Sequence, residues 1–471
     1  MLLATAALTP MPPLFFFAVI IVFVASVTNV TDALCRYVLF VGLLPPLQWH
    51  ITAGGSYLFK VDTIDALNIG MILCMFVRYR ASRGPGWKPR AEDLLVLSML
   101  IPFWIGENRG LPVSEFLRAG VSELLVVLSY FVLRKNLMRA VDFRMVLAAL
   151  VVSGVILSVY AVYEAKSGWA VFDLMKRQIM MGSMQSHNLM VRGGMLRAST
   201  TMSGPLMLAC YLTIAFLAAA ISRRAFKSEL VWLGIMGALV VGVLACQSRG
   251  NLVAIVLGLL VLLVAQRRAK IAVFVAVGVG LMGGLAVVAA SQSLFASSFI
   301  GLNAGETRGG VKYLDYREVL LKRGLEEGAK HRWFGASLKK NLDDMSDIEE
   351  NGGLIDLVNT YLLIYLVSGI AGLGVILAAL LAVIRNLLKS RPKKTEDPSL
   401  WAFAVAGLIA VIVQLSFMSY IDRMPMLLML VLAAARWVSD PASKRVATAR
   451  PKAAPRPRRQ LVMARRPTGT A

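Results

Sequence analysis

The sequence predicts an all-α, polytopic integral membrane protein with about 12 or 13 transmembrane helices and one large, partly helical outer loop. Three observations predict this class. Of the 471 residues, 58% are hydrophobic and only 16% are charged. Apolar runs approaching the ~20 residues that cross a bilayer as helix recur along the chain. Basic residues collect in alternate connections between those runs, the pattern of the positive-inside rule. The alternating strands of about ten residues that a membrane β-barrel needs are absent.

The runs 14–30 and 34–47 come first, the second short and carrying Pro45-Pro46, hence re-entrant or broken. Runs 63–79 and 93–106 flank the basic stretch Arg78 to Arg90, and 112–133 and 143–163 flank Arg134 to Arg144. Runs 201–221 and 229–246 flank Arg223, Arg224 and Lys227; 251–265 and 270–290 flank Arg267, Arg268 and Lys270. Run 354–384 is long enough to lean or to project beyond a bilayer, and Arg385 to Lys394 separate it from 399–418. The last run is 424–437.

With these basic connections cytoplasmic, the notable outer segments are 107–111, 165–200, the 246–251 turn and 291–353. A count of 13 places the N-terminus outside, and no cleavable signal is expected because the first apolar run lacks a basic flank. Net charge is +23, but its distribution makes it topological, so no nucleic-acid partner is expected. The tail 438–471 has nine Lys or Arg and no acid after Asp440; a disordered cytoplasmic segment against anionic lipid is expected. Cys35, Cys74, Cys210 and Cys246 lie in apolar runs without paired spacing and read as inert thiols.

Within 291–353, Val311, Leu314, Leu321 and Leu325 recur at near-helical intervals with charges between them. That spacing predicts an amphipathic surface helix, weakened in its second half by Gly324 and Gly328. The segment is nearly neutral, whereas 165–200 is basic, against the orientation bias.

The run Cys246-Gln247-Ser248-Arg249-Gly250-Asn251 sets an arginine between two apolar stretches. Burying its guanidinium costs at least ~2.5 kcal/mol, so an anion is expected to hold it. Arg197, Arg249 and Arg317, with Arg192 as the rival to Arg197, face one compartment and suit a lipid diphosphate, since guanidinium forks match phosphate oxygens. The alternative is that each snorkels to lipid phosphate or pairs with an acid. Glu115 and Arg118 are spaced to pair, leaving Glu123 as an intramembrane carboxylate: a functional group, or a protonated partner in an interhelical hydrogen bond. Of His50, His187 and His331, the last is a candidate general base or acid, against the alternative of a solvated loop histidine. No HxxH, HExxH or DxD spacing and no phosphate-binding glycine pattern occurs, so neither metal nor cofactor is expected.

Together these pieces resemble the O-antigen ligase and O-antigen polymerase superfamily of bacterial envelope glycosyltransferases. The resemblance covers about 195–385. It is carried by Arg197 leading into a span, Ser248-Arg249-Gly250, the Arg317-led helix running to His331-Arg332-Trp333-Phe334-Gly335, and Asn359-Thr360-Tyr361-Leu362 followed by Gly369, Gly372 and Gly374. It divides the chain into N-terminal helices with the basic outer loop (1–200), a ligase/polymerase-like core (201–437) and the tail (438–471). It implies metal-independent transfer of a glycan from an undecaprenyl-diphosphate carrier to a glycan acceptor, at the periplasmic face of the inner membrane. Arg197 and Arg249 would inherit the diphosphate, and neutralising its charge makes it a good leaving group. Chain-length regulators and export proteins are partners to consider.

One departure matters. Many relatives, ligases especially, have a histidine before the asparagine of Asn-x-Tyr-Leu, where this chain has Val358. Either His331, Asp356 or Glu123 substitutes, or the acceptor needs no strong base. The departure favours a polymerase of exopolysaccharide or O-antigen repeats over a ligase acting on lipid A core or protein. A secondary transporter or polysaccharide flippase is the reading from another class, although no internal repeat supports it.

Overall fold

The computed structural model describes residues 12–45, 47–53, 56–77, 91–136, 140–172, 191–192, 195–268, 271, 307–308, 311–348, 357–392, 398–420 and 423–440. The expected span 270–290 (residue 271 apart), the chain before residue 12 and the tail after 440 lie outside them. In order come α1 (Pro12–Ser26), α2 (Val30–Leu43), β1 (Gln48–Ala53), β2 (Ser56–Asp62), α3 (Thr63–Val77) and α4 (Ala91–Ser98). A π-helical turn (Ile101–Gly106), α5 (Val113–Asn136) and α6 (Ala140–Ser167) follow. Strands β3 (Val191–Arg192) and β4 (Met195–Leu196) precede α7 (Pro205–Ile221), α8 (Glu229–Ala245) and α9 (Arg249–Ala265). Strands β5 (Thr307–Arg308) and β6 (Val311–Lys312) lead into α10 (Tyr313–Lys330) and α11 (Leu338–Asp344). Last come α12 (Thr360–Lys389), α13 (Ser399–Leu415) and α14 (Met424–Ser439).

The described residues are thus mostly helical, with strands confined to three two-stranded hairpins. Three helices, α5, α6 and α12, are long and apolar enough to cross a membrane. Seven other apolar helices have 10–17 residues; at 1.5 Å per residue the longest of these reach about 25 Å, short of a hydrocarbon core of about 30 Å. Fewer full-length spans are therefore present among the described residues than the 12 or 13 expected. Helix α7 is buried over almost its whole length and sits against α6, α8, α9 and α13. An apolar circumference of that kind belongs in the middle of a bundle.

The run expected at 34–47 proves to be α2 followed by an antiparallel hairpin, β1–β2. Pro45 ends the helical path, and the Thr63 hydroxyl donates to the carbonyls of Pro45 and Leu47 at 2.8 and 3.3 Å, fixing the hairpin's base to the start of α3.

Contacts between connections define two ends of the bundle. At the end called upper, Ala198 N–H donates to Ala245 O (3.1 Å) and Thr360 N–H to Met418 O (3.0 Å). There, too, the Thr201 hydroxyl donates to Gly42 O (2.6 Å). At the lower end, buried Asp93 receives the guanidinium of Arg134 and the hydroxyl of Tyr130 (2.8 Å), with Arg436 at 3.6 Å. Glu92 faces Arg436 at 3.7 Å and accepts from Asn386 at 2.6 Å. This ion cluster ties α4, α5, α12 and α14 together.

Helix α12 is broken at Gly369, whose φ is +64°. The segment 332–336, between α10 and α11, docks into the break. Ile370 N–H donates to Arg332 O (2.7 Å), Ala371 N–H to Trp333 O (3.1 Å) and Ala336 N–H to Leu366 O (2.9 Å). Gly335, with φ +63°, presses on the facing backbone: a Cβ there would lie 2.4 Å from Val367 C. Only glycine permits both the left-handed turn and so close an approach. The peptide groups freed by the kink are thus satisfied by the loop itself.

Candidate functional site

The 246–251 turn is built for tightness. Helix α8 ends at Cys246, and Gln247 takes a left-handed φ of +51° although it is not glycine. Ser248 is the N-cap position of α9 and Arg249 its first residue, half-buried. Gly250 packs on Phe417, where an added Cβ would meet the ring at 2.8 Å. Asn251 is buried; its side-chain N–H donates to Ser248 Oγ (2.8 Å), and its Oδ1 accepts from Gln414 (2.8 Å) and Cys210 (3.2 Å). Three helices therefore hold the turn. A guanidinium at the N-terminus of a 17-residue helix adds its charge to the positive end of the helix dipole, a combination suited to an anion.

Arg197 reaches the same turn: its Nε–H donates to Cys246 O at 3.2 Å. The segment bearing it is organised by Glu164, at the end of α6. This carboxylate is fully buried and accepts the N–H groups of Ser199 (3.1 Å), Thr200 (2.8 Å) and Val171 (3.1 Å). Thr200 is left-handed, with φ +47°. Glu164 was missed by sequence reasoning. Its signal was an acid at the end of an apolar run, opening the basic segment it organises.

Arg423 was also missed. It is fully buried just before α14, and its guanidinium donates to the carbonyls of Gly42 and Leu44, to Thr201 Oγ1 (3.5 Å) and to Met202 Sδ (2.8 Å). The available signal was the one used for Arg249, an arginine in a short connection between apolar runs.

The other expected residues are placed as follows. Arg192 lies in β3, paired with Met195, and Arg317 on α10; their side chains lie outside the described residues, as does Asp356. Glu123 is half-buried on α5, beside Ser122, whose hydroxyl donates to Asp65 at 3.0 Å. Near it, in the 107–110 turn, sequence reasoning passed over Glu107. One of its carboxylate oxygens is buried without a hydrogen-bond partner. Burial, then the like charge of Glu123, pushes its pKa up to about 8. Tyr420 stacks on Phe103 with ring centres 3.5 Å apart, and burial raises its pKa well above the usual phenol range.

His331 is half-buried, its Nε2 3.0 Å from the Lys340 ammonium. An ammonium only donates, so the Nε2 lone pair is occupied in this arrangement. Asn359 caps α12, accepting from Tyr361 N–H (3.0 Å) and Leu362 N–H (3.2 Å). Tyr361 donates to Ile412 O (3.0 Å). Asn359 thus closes the start of α12, and Tyr361 fastens that helix to α13. Trp333 is exposed beside Gly335 at the α12 break. Among the described residues, no group of three or more His, Cys, Asp or Glu side chains is placed to hold a metal ion.

The structure thus brings Arg197, Ser248, Arg249 and Gly250 together at the upper end, where Asn359 also lies. It places Glu123 with Glu107, and His331 with Lys340. No protein-family model matches the chain, and no curated protein matches it.

Proposed function

We propose that the chain is a metal-independent membrane glycosyltransferase that polymerises undecaprenyl-diphosphate-linked oligosaccharide repeats into exopolysaccharide or O-antigen. It works in the bacterial inner membrane, with its upper end toward the periplasm. One observation carries the reading: Arg197 hydrogen-bonds into the turn that carries Arg249. Two guanidinium-bearing segments from distant parts of the chain thereby share one site, as binding a single diphosphate head group requires.

In this reading Arg197 and Arg249 neutralise the diphosphate as it leaves the anomeric carbon. They stabilise charge that grows in the transition state. An acceptor hydroxyl attacks that carbon and loses its proton to a carboxylate, for which Glu123 is the described candidate; Glu107 keeps its own proton up to about pH 8 and is no base at neutral pH. The chain-ends of the growing polymer and the next lipid-linked repeat are the two substrates.

The test is a deletion strain complemented with Arg249→Ala at matched protein levels. Accumulated lipid-linked single repeats without polymer are expected. Normal polymer refutes the arginine assignment. Repeats that never leave the inner leaflet would instead identify a flippase, and intact polymer left untransferred to its final acceptor a ligase.

A further inference from the structure

We propose that residues 330–340 form an interfacial anchor, seating Trp333 and Phe334 among the headgroups of the leaflet at the upper end and binding anionic phospholipid through the surrounding cations. Trp333 and Phe334 are 58% and 70% exposed. Their exposure is imposed by the fold. The backbone on either side is locked into the Gly369 break, and Arg109 Nη1 donates to Phe334 O (2.9 Å) and Gly335 O (3.1 Å). Two large aromatics on a rigid tip cannot turn inward, and no described residue covers them.

The surface beneath the tip says what does. Below Gly369, the exposed apolar side chains Ile370, Leu377, Leu381 and Leu388 recur at helical spacing along one side of α12. Trp333 and Phe334 stand at the top of this stripe, and Arg385 and Lys389 stand at its foot. From the break to Lys389 is about 20 residues, or about 30 Å of helix, the thickness of a hydrocarbon core. Aromatic side chains at one edge of such a band suit a membrane–water interface, and cations at either edge can snorkel to headgroups.

Charge supports an anionic lipid in particular. Residues 330–340 contain Lys330, Arg332, Lys339 and Lys340 and no acid; Lys330 is paired with Glu327 at 2.5 Å, which leaves Arg332, Lys339 and Lys340 for lipid. Arg332 lies over the Trp333 ring at 5.3 Å, so cation and aromatic present themselves as a unit. Basic side chains beside a membrane each favour anionic lipid. This anchor rests on the membrane reading of the chain and not on the proposed glycosyl transfer.

The full-length protein, reconstituted in vesicles, tests it. The chain has eight tryptophans, so the emission difference between wild type and Trp333→Phe isolates one of them. Trp333 is exposed, and the substitution leaves the docking backbone unchanged. The Trp333 component is expected to be quenched by phosphatidylcholine brominated near the top of the acyl chain, more than by lipid brominated near its end. Adding phosphatidylglycerol should strengthen that quenching, and Arg332→Glu/Lys339→Glu should abolish the added effect. Quenching by aqueous iodide but not by brominated lipid overturns the anchor by placing the tip in water. Resistance to both overturns it by placing the tip in a protein contact. Equal quenching with and without phosphatidylglycerol overturns the anionic preference. Loss of polymer in Arg249→Ala with quenching intact bears only on the chemistry.

Discussion

Replacing Gly369 by alanine tests the interlock between α12 and the 332–336 segment, which holds the Trp333-Phe334 tip in place. The backbone at 369 has φ +64° and ψ −160°, a region essentially confined to glycine that costs another residue on the order of 1–3 kcal/mol. The new Cβ would lie 2.4 Å from Trp333 C, 2.5 Å from Trp333 O and 2.6 Å from Phe334 N. All three are backbone atoms, so no side chain can rotate to make room. The segment must back away from the break. Three backbone hydrogen bonds then fail, those from Ile370, Ala371 and Ala336, each with a net contribution of about 0.5–1.5 kcal/mol. The expected total is about 2.5–7.5 kcal/mol, concentrated locally.

The control is in the same helix. Gly374 has nothing within 4 Å of an added Cβ, so Gly374→Ala is expected to be neutral or to stabilise by up to about 1 kcal/mol through helix propensity. Thermal unfolding in detergent compares the two variants. Hydrogen exchange then asks whether the amides of Ala336, Ile370 and Ala371 lose protection in Gly369→Ala alone. If both variants melt together and all three amides stay protected, the interlock is wrong.

Two further predictions follow from charge. Asp93→Ala removes the buried acceptor of Arg134 and Tyr130 and the neighbour of Arg436; breaking such a buried pair costs about 3–5 kcal/mol, so the unfolding midpoint in detergent should fall by several degrees, while Glu326→Ala, which breaks an exposed pair with Arg323 on α10 (3.3 Å), changes little. Glu107 titrates near 8 in the folded chain against an ordinary value of 4.5, so the folded form keeps a proton that the unfolded form has released. Its stabilising effect is complete below pH 4.5 and is lost as pH rises toward 8; the melting midpoint should decline over that window, and Glu107→Gln should flatten the decline.

How much of this was legible depended on whether the cause lay within a few residues. The loop helix was readable from Val311, Leu314, Leu321 and Leu325, and it forms as α10, beginning at Tyr313. Its two glycines, which weakened the expectation, are there for packing: Gly324 admits Leu362 and Gly328 admits Tyr365. The hairpin at 48–62 was hidden by the neighbouring apolar run, although a Gly-Gly pair at 54–55 marked it. Gly369, Gly372 and Gly374 look equivalent in sequence, yet only Gly369 has a positive φ. What separates them is a loop more than thirty residues upstream, and no local pattern contains that. The same holds for Glu164, whose N–H partners at 199 and 200 lie 35 and 36 residues away.

The segments that carry Arg197 and Arg249 share a further property that bears on their role. Each contains a non-glycine residue in the left-handed region, Thr200 in one and Gln247 in the other. Such a conformation costs on the order of 1–3 kcal/mol unless its surroundings impose it. Here the surroundings do: Glu164 grips the amides of Ser199 and Thr200, while Asn251, Ser248 and Gln414 brace the second turn. Arg267, in a connection with no expected site, also has a left-handed φ of +65°, so the conformation alone marks nothing; what sets these two segments apart is the buried polar groups that brace them. Strain held in place by buried polar groups on both sides is what fixing two guanidinium-bearing segments against one another requires. On the proposed reading, that bracing would hold the two arginine-bearing segments ready for the charges of one diphosphate.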